Sequence, residues 1–292
     1  MERRAIKIGR HTVELTHEDK RIFPGIDKGK FIAYYYDIAP IMVPYVQHRL
    51  LTMHRFVEGI GHEGFYQKDA GSYFPGWITT KAVKKEDGGI IKYVVCNSAA
   101  TLVYLANQLC ITPHIWLSKV DKLRYPDRMI FDIDPSGDNF AYVRTVAQRL
   151  RQMLEDAGLK PFVMTTGSRG LHVVTPLKRM HTFDTVRAWA RSIAQQIVDD
   201  DPKHCTLEVR KEKRRGRIFI DVLRNAYAQT AVAPYAVRAR PKAPVATPLL
   251  WEELPHIRSS QQYTISTIFK RLERDGDPWH GIERSAKSLP LK

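Results

Sequence analysis

The stretch MIFDID at residues 129–134, followed by PSGD at 135–138, decides the fold prediction. Its apolar residues indicate a buried strand, and the proline and glycine after it supply turn dihedral angles that end the strand. Asp132 and Asp134 stand at positions i and i+2, so both carboxylates leave the same face, with Cα atoms about 6.8 Å apart. Phe131 and Ile133 then point into the core on the other face.

The sequence on either side of this strand switches between helical and strand periodicity, which is typical of an α+β or α/β protein. Helical spacing over residues 29–39 and 41–51 is interrupted by Pro40 and Pro44, which are expected to end or kink the helix. The remaining predicted elements are strands at 51–56, 114–117, 161–166, 171–175 and 217–223, and helices at 98–110, from 140 to a C-cap at Gly158, at 183–197 and at 265–274. Since no repeat or linker is visible, we expect one domain over residues 1–292.

The charge balance narrows the function. The 292 residues include 46 Lys and Arg against 31 Asp and Glu, a net charge of +15, which excludes an acidic surface or tail and favours a polyanionic partner. Residues 203–242 alone carry a net +8, so the excess is concentrated around Asp221. The segment KEKRRGR at 211–217 within it resembles a hairpin tip that could follow a phosphate backbone, although a solvated turn is the alternative.

Cysteine use and hydropathy predict the compartment. Cys96, Cys110 and Cys205 have no CxxC spacing and cannot pair completely, so neither a disulfide framework nor a structural zinc site is expected. No window reaches about 18 uninterrupted apolar residues, and the first residues lack the apolar region of a signal peptide. We therefore expect a cytoplasmic protein with no membrane partner.

Three carboxylates form the first candidate site. Asp132 and Asp134 would repel each other unless a hard divalent cation lies between them, although a solvated strand end is the alternative. Asp221 lies within the apolar stretch 217–223, where an unpaired charge is costly to bury; a salt bridge with Arg217 or Arg224 is the alternative. Three carboxylates on one sheet can hold two metal ions about 3.5–4 Å apart, the arrangement used in phosphoryl transfer.

A second candidate site is the sequence TTGSRGLH at residues 165–172. A glycine-containing turn can turn backbone N–H groups toward phosphate oxygens, and Ser168 and Arg169 add donors. It is not a Walker loop, and an ordinary hairpin is the alternative. Arg224, Arg238 and Arg240, which surround and follow the second acidic strand, are natural ligands for a triphosphate.

These motifs together resemble a known family. FDIDP at 131–135, TGSRGLH at 166–172, FID at 219–221 and APYAVRAR at 233–240 occur in the order and spacing of the polymerase module of bacterial ligase D. The resemblance covers essentially the whole chain. It implies the α+β, primase-like catalytic core of the archaeo-eukaryotic primase superfamily, with mixed and antiparallel sheets flanked by helices. It also implies a template-dependent nucleotidyltransferase that fills gaps and extends 3′ ends during non-homologous end joining, favouring ribonucleotides.

The resemblance also assigns roles to residues. Asp132, Asp134 and Asp221 would bind two divalent ions, Mn²⁺ in preference to Mg²⁺. An NTP or dNTP would be held by His114, Thr166, Ser168, Arg169, His172, Arg224 and Arg238. Lys20 and Lys30 would bind the 5′-phosphate of a gapped or broken DNA, and Tyr66, with Phe65 beside it, would form a platform for a template base. The predicted DNA contacts are Lys20, Lys30, Arg55, Phe65, Tyr66, Lys213, Arg214 and Arg215.

Two departures from the family pattern qualify these expectations. Thr112 and Pro113 precede His114, where the family has an acidic residue and a leucine, which affects the local backbone. No ligase or nuclease module is present, so we expect a stand-alone polymerase of the nucleoid that depends on Ku and a separate DNA ligase.

Two other functions remain open at the level of sequence. A phosphatase of the haloacid-dehalogenase type is one, because IFDID at residues 130–134 fits its nucleophile motif, although PS at 135–136 replaces the expected Gly-Thr. A basic DNA-end binding module with inert carboxylates is the other.

Overall fold

The computed structural model describes residues 4–85, 87–137 and 139–291. The α-helices in this part of the chain are α1 Lys28–Val46, α2 Ala99–Asn107, α3 Phe140–Asp156, α4 Phe183–Asp200 and α5 Ile268–Asp275. The strands are β1 Arg4–Ile8, β2 His11–Leu15, β3 Arg21–Phe23, β4 Ile26–Asp27, β5 Leu50–Arg55, β6 Phe65–Gln67, β7 Thr80–Lys84, β8 Ile90–Val95, β9 Cys110–Trp116, β10 Arg128–Asp134, β11 Phe162–Thr165, β12 Leu171–Pro176, β13 Cys205–Thr206, β14 Ile218–Asp221, β15 Thr230–Val232 and β16 Pro248–Leu249.

The first large sheet, sheet I, has the strand order β13-β14-β10-β12-β11-β16. Its pairs are antiparallel except for β13 with β14. The acidic strand β10 is therefore central, between β12 and β14. Phe131 and Ile133 are fully buried in a cluster with apolar residues of α3 and α4, which confirms their predicted inward orientation. Asp132 and Asp134 consequently belong to the opposite face of the sheet.

The second large sheet, sheet II, has the order β15-β9-β5-β8-β7, with β6 also paired to β5. One of its faces packs in a core cluster with α1 and α2 through residues such as Leu51, Met53 and Ile111. The same cluster contains Ile130 and Val174 of sheet I. This shared apolar contact supports the prediction of one continuous domain, which stays a prediction.

The prediction that Pro40 or Pro44 ends the first helix is wrong. α1 continues through both Pro40 and Pro44 to Val46. Tyr36, Pro40 and Pro44 are spaced four residues apart and are all exposed, so they share the solvent face. The carbonyls of Tyr36 and Pro40, which lose their helical donors to the prolines, therefore face water, while buried residues on the opposite face hold the helix together.

The predicted hairpin tip at residues 211–217 is also wrong. The flanking strands β13 and β14 run parallel, so this segment belongs to a crossover loop that contains a short 3-10 turn at Lys211–Lys213. The other predicted elements are present with shifts of a few residues at their ends. The 161–166 and 171–175 strands pair as an antiparallel hairpin, as predicted.

The three cysteines are free and buried. Within the described residues, no helix is long and apolar enough to cross a membrane.

A buried ion pair joins the start of β5 to the start of β10. The two terminal nitrogens of the Arg49 guanidinium, Nη1 and Nη2, donate to the Asp127 carboxylate over 2.7 and 2.6 Å, and Arg49 is only 1% exposed. Arg49 Nε also donates to the Tyr45 carbonyl. Burial alone would raise the pKa of Asp127, but the Arg49 guanidinium lowers it below its ordinary value.

We predict that Asp127→Ala lowers the free energy of unfolding by about 3–5 kcal/mol, because it leaves the Arg49 charge buried without a partner. Urea denaturation followed by circular dichroism measures the change. The matched control is Asp121→Ala, which breaks the exposed pair with Arg179 and is expected to cost at most about 1 kcal/mol. Equal effects of the two substitutions would contradict the assignment.

Candidate active site

The register of sheet I brings the predicted carboxylates together. Asp132 of β10 is paired directly with Asp221 of β14 on one side and with His172 of β12 on the other. Residues directly opposite in an antiparallel ladder place their side chains on the same face. Asp134 lies two residues further along β10, again on that face. The prediction that Asp132, Asp134 and Asp221 gather on one sheet is confirmed.

Asp132 is the most enclosed of the three carboxylates and has two basic neighbours. Asp132 is 5% exposed; its Oδ1 lies 3.4 Å from His172 Nε2, and its Oδ2 accepts a hydrogen bond from Arg224 Nε over 3.3 Å. Arg224 Nε also lies 4.0 Å from Asp221 Oδ2. The Arg224 guanidinium therefore partly neutralises two carboxylates that face each other across the sheet.

The protonation equilibria of the carboxylates diverge. Burial would raise the pKa of Asp132, but His172 and Arg224 outweigh it and lower the pKa below its ordinary value. Burial and the charge of Asp132 raise the pKa of Asp134, and the same two causes raise the pKa of Asp221. Asp132 is thus the carboxylate that stays ionised most readily, while Asp134 and Asp221 take up protons at a higher pH than ordinary aspartates do.

The three carboxylates suit a divalent cation by their chemistry. Carboxylate oxygens are the ligands that hard divalent ions prefer. The pKa values of Asp134 and Asp221 are raised first by burial and then by the charge of Asp132, and a bound cation would offset that charge. In the described part of the chain, however, no group of three or more His, Cys, Asp and Glu side chains is arranged so that it could hold a metal ion. Arg224, placed against Asp132 and Asp221, provides the charge compensation instead.

The loop at residues 166–170 meets the end of the acidic strand at very short range. A Cβ atom at Gly170 would lie 2.0 Å from the backbone oxygen of Ile133, so only glycine fits there. Gly167 has a positive φ of 66°, which residues with a side chain rarely adopt. Thr166 Oγ1 donates to the Gly170 carbonyl and accepts from the Ser168 amide, which closes the turn on itself.

Residues far along the chain hold this loop in place. Arg238 donates to the Thr166 carbonyl over 2.8 Å, and Arg240 donates to Ser168 Oγ over 3.3 Å. The buried hydroxyl of Ser260 donates to the Gly170 carbonyl, and the Gln261 amide donates to the Ser168 carbonyl. Sequence analysis missed Ser260 and Gln261, since no local motif marks two polar residues about 90 positions away.

Asn225 was also missed and anchors the turn that carries Arg224. It is fully buried, accepts from the Ile130 amide and donates to the Ile130 and Val222 carbonyls. A single side chain thus ties the segment after β14 to the centre of β10. No local motif marks Asn225 in the sequence, because its burial and its hydrogen-bond partners appear only in the folded chain.

Sheet II contributes His114 to the same site. His114 is buried, and its Nε2 has no hydrogen-bond partner among the described residues. Burial and the charge of Arg238 lower the pKa of His114 well below its ordinary value, so the ring is neutral near pH 7. The Thr112-Pro113 departure from the family pattern leaves β9 intact, because both residues lie within the strand.

One cavity of about 180 Å³ connects these groups. The predicted residues that line it are His114, Asp132, Asp134, Thr166, Ser168, Arg169, His172, Arg224 and Arg238. Val232 and Arg240 complete the lining. All seven predicted nucleotide-binding residues therefore face the cavity that two of the three carboxylates enter, while Asp221 adjoins it through Asp132 and Arg224.

The two aromatic residues predicted to bind a template base are exposed, so neither belongs to the core. Phe65 is 47% and Tyr66 is 58% exposed on β6. The Tyr66 ring stacks on His54 with centroids 4.2 Å apart and lies 5.6 Å from His114, which places it at the edge of the cavity. Arg55 lies over the Phe65 ring and also bonds to the Gln108 carbonyl, so it supports the platform from inside the protein.

The two lysines predicted to bind a 5′-phosphate lie near the start of α1. Lys20 is paired with Glu58 over 2.9 Å, and Lys30 lies 3.8 Å from Asp27. Lys28, between them in sequence, is buried, and its ammonium group donates to the Thr16 carbonyl. Burial and the charge of Lys20 lower the pKa of Lys28 to about 8.

The basic crossover loop divides into exposed and internal residues. Lys213 and Arg215 are exposed. Arg214, by contrast, is 8% exposed, lies 3.8 Å over the Phe219 ring and donates to the carbonyls of Glu208 and Val209. Its guanidinium is therefore committed inside the protein, which does not favour the predicted DNA contact for Arg214.

Comparison with known proteins gives consistent matches. The family described as "LigD, primase-polymerase domain" matches residues 27–279. The multifunctional non-homologous end joining protein LigD of Mycolicibacterium smegmatis is 30% identical over 272 residues, which are 91% of this chain and 35% of that protein. The bifunctional non-homologous end joining protein LigD of Bacillus subtilis is 28% identical over 283 residues, which are 96% of this chain and 45% of that protein. The chain thus spans less than half the length of these relatives.

A solved structure agrees with the fold. The polymerase domain from Mycobacterium tuberculosis ligase D in complex with DNA superposes with a TM-score of 0.86 at 29% identity, over 94% of this chain and 99% of that one. The predicted α+β, primase-like architecture is confirmed.

We predict that Mn²⁺ binding weakens as the pH falls from about 7.5 to about 5.5. Protons compete with the cation for Asp134 and Asp221, and because their pKa values are raised, this competition begins at a higher pH than for ordinary carboxylates. Titration of the protein with Mn²⁺, followed by the electron paramagnetic resonance of the free ion, measures the affinity. An affinity that stays constant over this range would contradict the assignment.

Proposed function

Because the chain belongs to the LigD primase-polymerase domain family, we propose that it is a template-dependent nucleotidyltransferase acting on broken or gapped DNA. It extends 3′-hydroxyl ends and fills short gaps during non-homologous end joining. The observation that supports this proposal most directly is the shared cavity, in which carboxylates and phosphate donors face each other. A pure DNA-binding module would have no need for this juxtaposition.

The cations of the cavity would bind the triphosphate of an incoming nucleotide. Arg238 and Arg240 are already held against the loop at residues 166–170, so little side-chain freedom is lost when phosphate binds. Ser168 and Arg169 add donors from the same loop, and Arg169 is exposed and free to close over the ligand. The neutral ring of His114 can donate or accept one hydrogen bond without adding charge.

Asp132, Asp134 and Asp221 would hold two divalent ions, Mn²⁺ or Mg²⁺. When bound, the ions lower the pKa of the primer hydroxyl and neutralise charge on the triphosphate. The low pKa of Asp132 keeps it ionised at any pH at which the protein works. Arg224, which contacts both Asp132 and Asp221, is expected to turn toward the triphosphate when cations take over its neutralising role.

The exposed rings of Phe65 and Tyr66 would support the template base opposite the incoming nucleotide. Base stacking on an aromatic ring is worth about 1–3 kcal/mol and does not depend on the identity of the base. The similar ligase D polymerase domain was solved in complex with DNA, which supports DNA as the substrate. A preference for ribonucleotides is part of the proposal.

The partners follow from the same proposal. The relatives are described as non-homologous end joining proteins, and this chain matches less than half of their length. We infer that Ku holds the break and that a DNA ligase seals it after extension. The protein would then work on the nucleoid.

Primer extension on a gapped duplex tests the function. The assay combines Mn²⁺ with either NTP or dNTP on a substrate that has or lacks a downstream 5′-phosphate. Template-directed extension that is faster with NTP supports the proposal. A protein that binds the gap equally well with and without metal and nucleotide, and extends nothing, would instead be a DNA-end binding module. An aspartyl-phosphate trapped on Asp132 would identify a phosphatase.

We predict that Asp221→Asn reduces extension at least about 100-fold. The substitution removes the negative charge that lies opposite Asp132 on the neighbouring strand and that would hold a divalent ion. Single-turnover extension with saturating Mn²⁺ measures the rate. Asp200→Asn is the matched control, because Asp200 is exposed and paired with Arg149, and its rate should equal that of wild type. A fully active Asp221→Asn variant would refute the metal assignment.

We predict that the stimulation by a downstream 5′-phosphate disappears in Lys20→Ala. In the free protein Lys20 is paired with Glu58, so the phosphate must replace that carboxylate. Glu58→Gln should therefore strengthen the phosphate effect, whereas Lys270→Ala, an exposed lysine on α5, should leave it unchanged. The readout is the ratio of extension rates on phosphorylated and unphosphorylated gaps. Stimulation that survives in Lys20→Ala would place the phosphate elsewhere.

A further inference from the structure

A second cavity, of about 380 Å³, opens on sheet II outside the site described above. Three aromatic residues from different segments form its walls, namely Tyr93 of β8, Trp116 of β9 and Tyr227, which follows a short 3-10 turn at Leu223–Asn225. Lysines and Asp87 at the rim and apolar side chains of sheet II contribute the rest of the lining among the described residues. We refer to it as the aromatic cup.

The aromatic walls of the cup pack against one another. Trp116 meets Tyr93 edge to face at 5.6 Å and Tyr227 at 5.2 Å between ring centroids. Tyr93 and Trp116 are buried, whereas Tyr227 is half-buried. Trp116 Nε1 has no hydrogen-bond partner among the described residues. A buried N–H without an acceptor is uncommon, and a ligand carrying ring nitrogens or carbonyl oxygens could supply one.

The rim of the aromatic cup is positively charged. Lys68, Lys84 and Lys85 are exposed around it, and Asp87 is the single acidic residue among its described lining. Arg124 adds a further cation, since its guanidinium lies over the Tyr227 ring at 5.2 Å. A ligand with a flat apolar part and a negatively charged part would complement these surroundings.

The aromatic cup lies on the same face of sheet II as the nucleotide-binding histidine. His114 and Trp116 are two residues apart on β9, so their side chains project from one face about 6.8 Å apart. Tyr66, which contacts His114, and Lys68 on the rim have the same two-residue spacing. A strand of nucleic acid that leaves the Tyr66 platform and follows the direction from Tyr66 to Lys68 would reach the cup directly.

We propose that the aromatic cup holds an unpaired base of a single-stranded DNA segment next to the catalytic cavity, with the rim lysines against its backbone phosphates. Aromatic walls with a cationic rim are the combination by which proteins bind single strands without reading their sequence. A paired base cannot enter, because its faces are covered by the stack. The position relative to catalysis rests on the proposed function; the binding itself does not.

Fluorescence polarisation of a 12-nucleotide fluorescein-labelled oligo(dT), without metal or nucleotide, tests the binding. We expect Tyr227→Ala to bind about 5- to 100-fold more weakly, as loss of one base stack requires, and Tyr227→Phe to bind as wild type. Lys84→Gln/Lys85→Gln should reduce the slope of log affinity against log salt by about 1.4. The matched controls are Tyr36→Ala, an exposed tyrosine on α1, and Lys160→Gln/Lys270→Gln, which carries the same change in charge elsewhere.

Two results would overturn the proposal: wild-type affinity and salt slope in both cup variants, or an equal loss in their matched controls. The lysine pair keeps the test decisive if Tyr227→Ala fails to fold. Extension on a one-nucleotide gap flanked by duplex is the separate readout. Tyr227→Ala should retain it, because the single unpaired template base lies at the Tyr66 platform and no unpaired segment extends to the cup. Absence of extension by the wild type would refute the proposed function, while the polarisation data would still decide the cup.

Discussion

The organisation of the protein depends on the antiparallel register of β10 with β12 and β14. Because Asp132 is opposite both Asp221 and His172, two carboxylates and an imidazole are forced onto one face within the reach of a single guanidinium. Arg224 relieves part of the repulsion. Moving either neighbour by one residue would turn its side chain to the helix-covered face, where charge cannot be buried cheaply. The catalytic proposal therefore rests on strand pairing more than on any loop.

Polar contacts from distant segments keep this register and the cavity above it in place. Asn225 fixes the turn after β14 to the backbone of Ile130, and the Arg49 pair with Asp127 anchors the beginning of β10 to sheet II. The loop at residues 166–170 is held by Ser260 and Arg238 from later parts of the chain. Such preorganised donors lose little entropy when a charged ligand binds, which suits the proposed binding of a triphosphate.

The net charge of +15 is larger than the positive charge that the surface can offer to DNA. The side chains of Arg214 and Arg49 are buried and bind partners inside the protein, and Lys28 is buried against Thr16. The remaining cations are unevenly placed: they lie in the cavity beside the acidic strand, near the start of α1 and on the rim of the aromatic cup. Charge arranged in separate sites around a cleft can address a phosphate at several points, whereas a uniformly basic surface would favour non-specific adhesion.

By itself the sequence determined the acidic strand, its inward apolar face, the two helices that cover it and the polar, glycine-containing character of the loop at residues 166–170. Each of these depends on local spacing, which period-2 and period-3.6 patterns record directly. Only the tertiary structure decided which segments of the chain pack against each other. Pro40 and Pro44 were expected to interrupt α1, yet they fall on its solvent face, where water satisfies the freed carbonyls. Arg214 was assigned to DNA, yet the parallel crossover turns it onto Phe219. Ser260, Gln261 and Asn225 carry no local signal at all, because their function is defined by partners that only the folded chain brings within hydrogen-bonding distance.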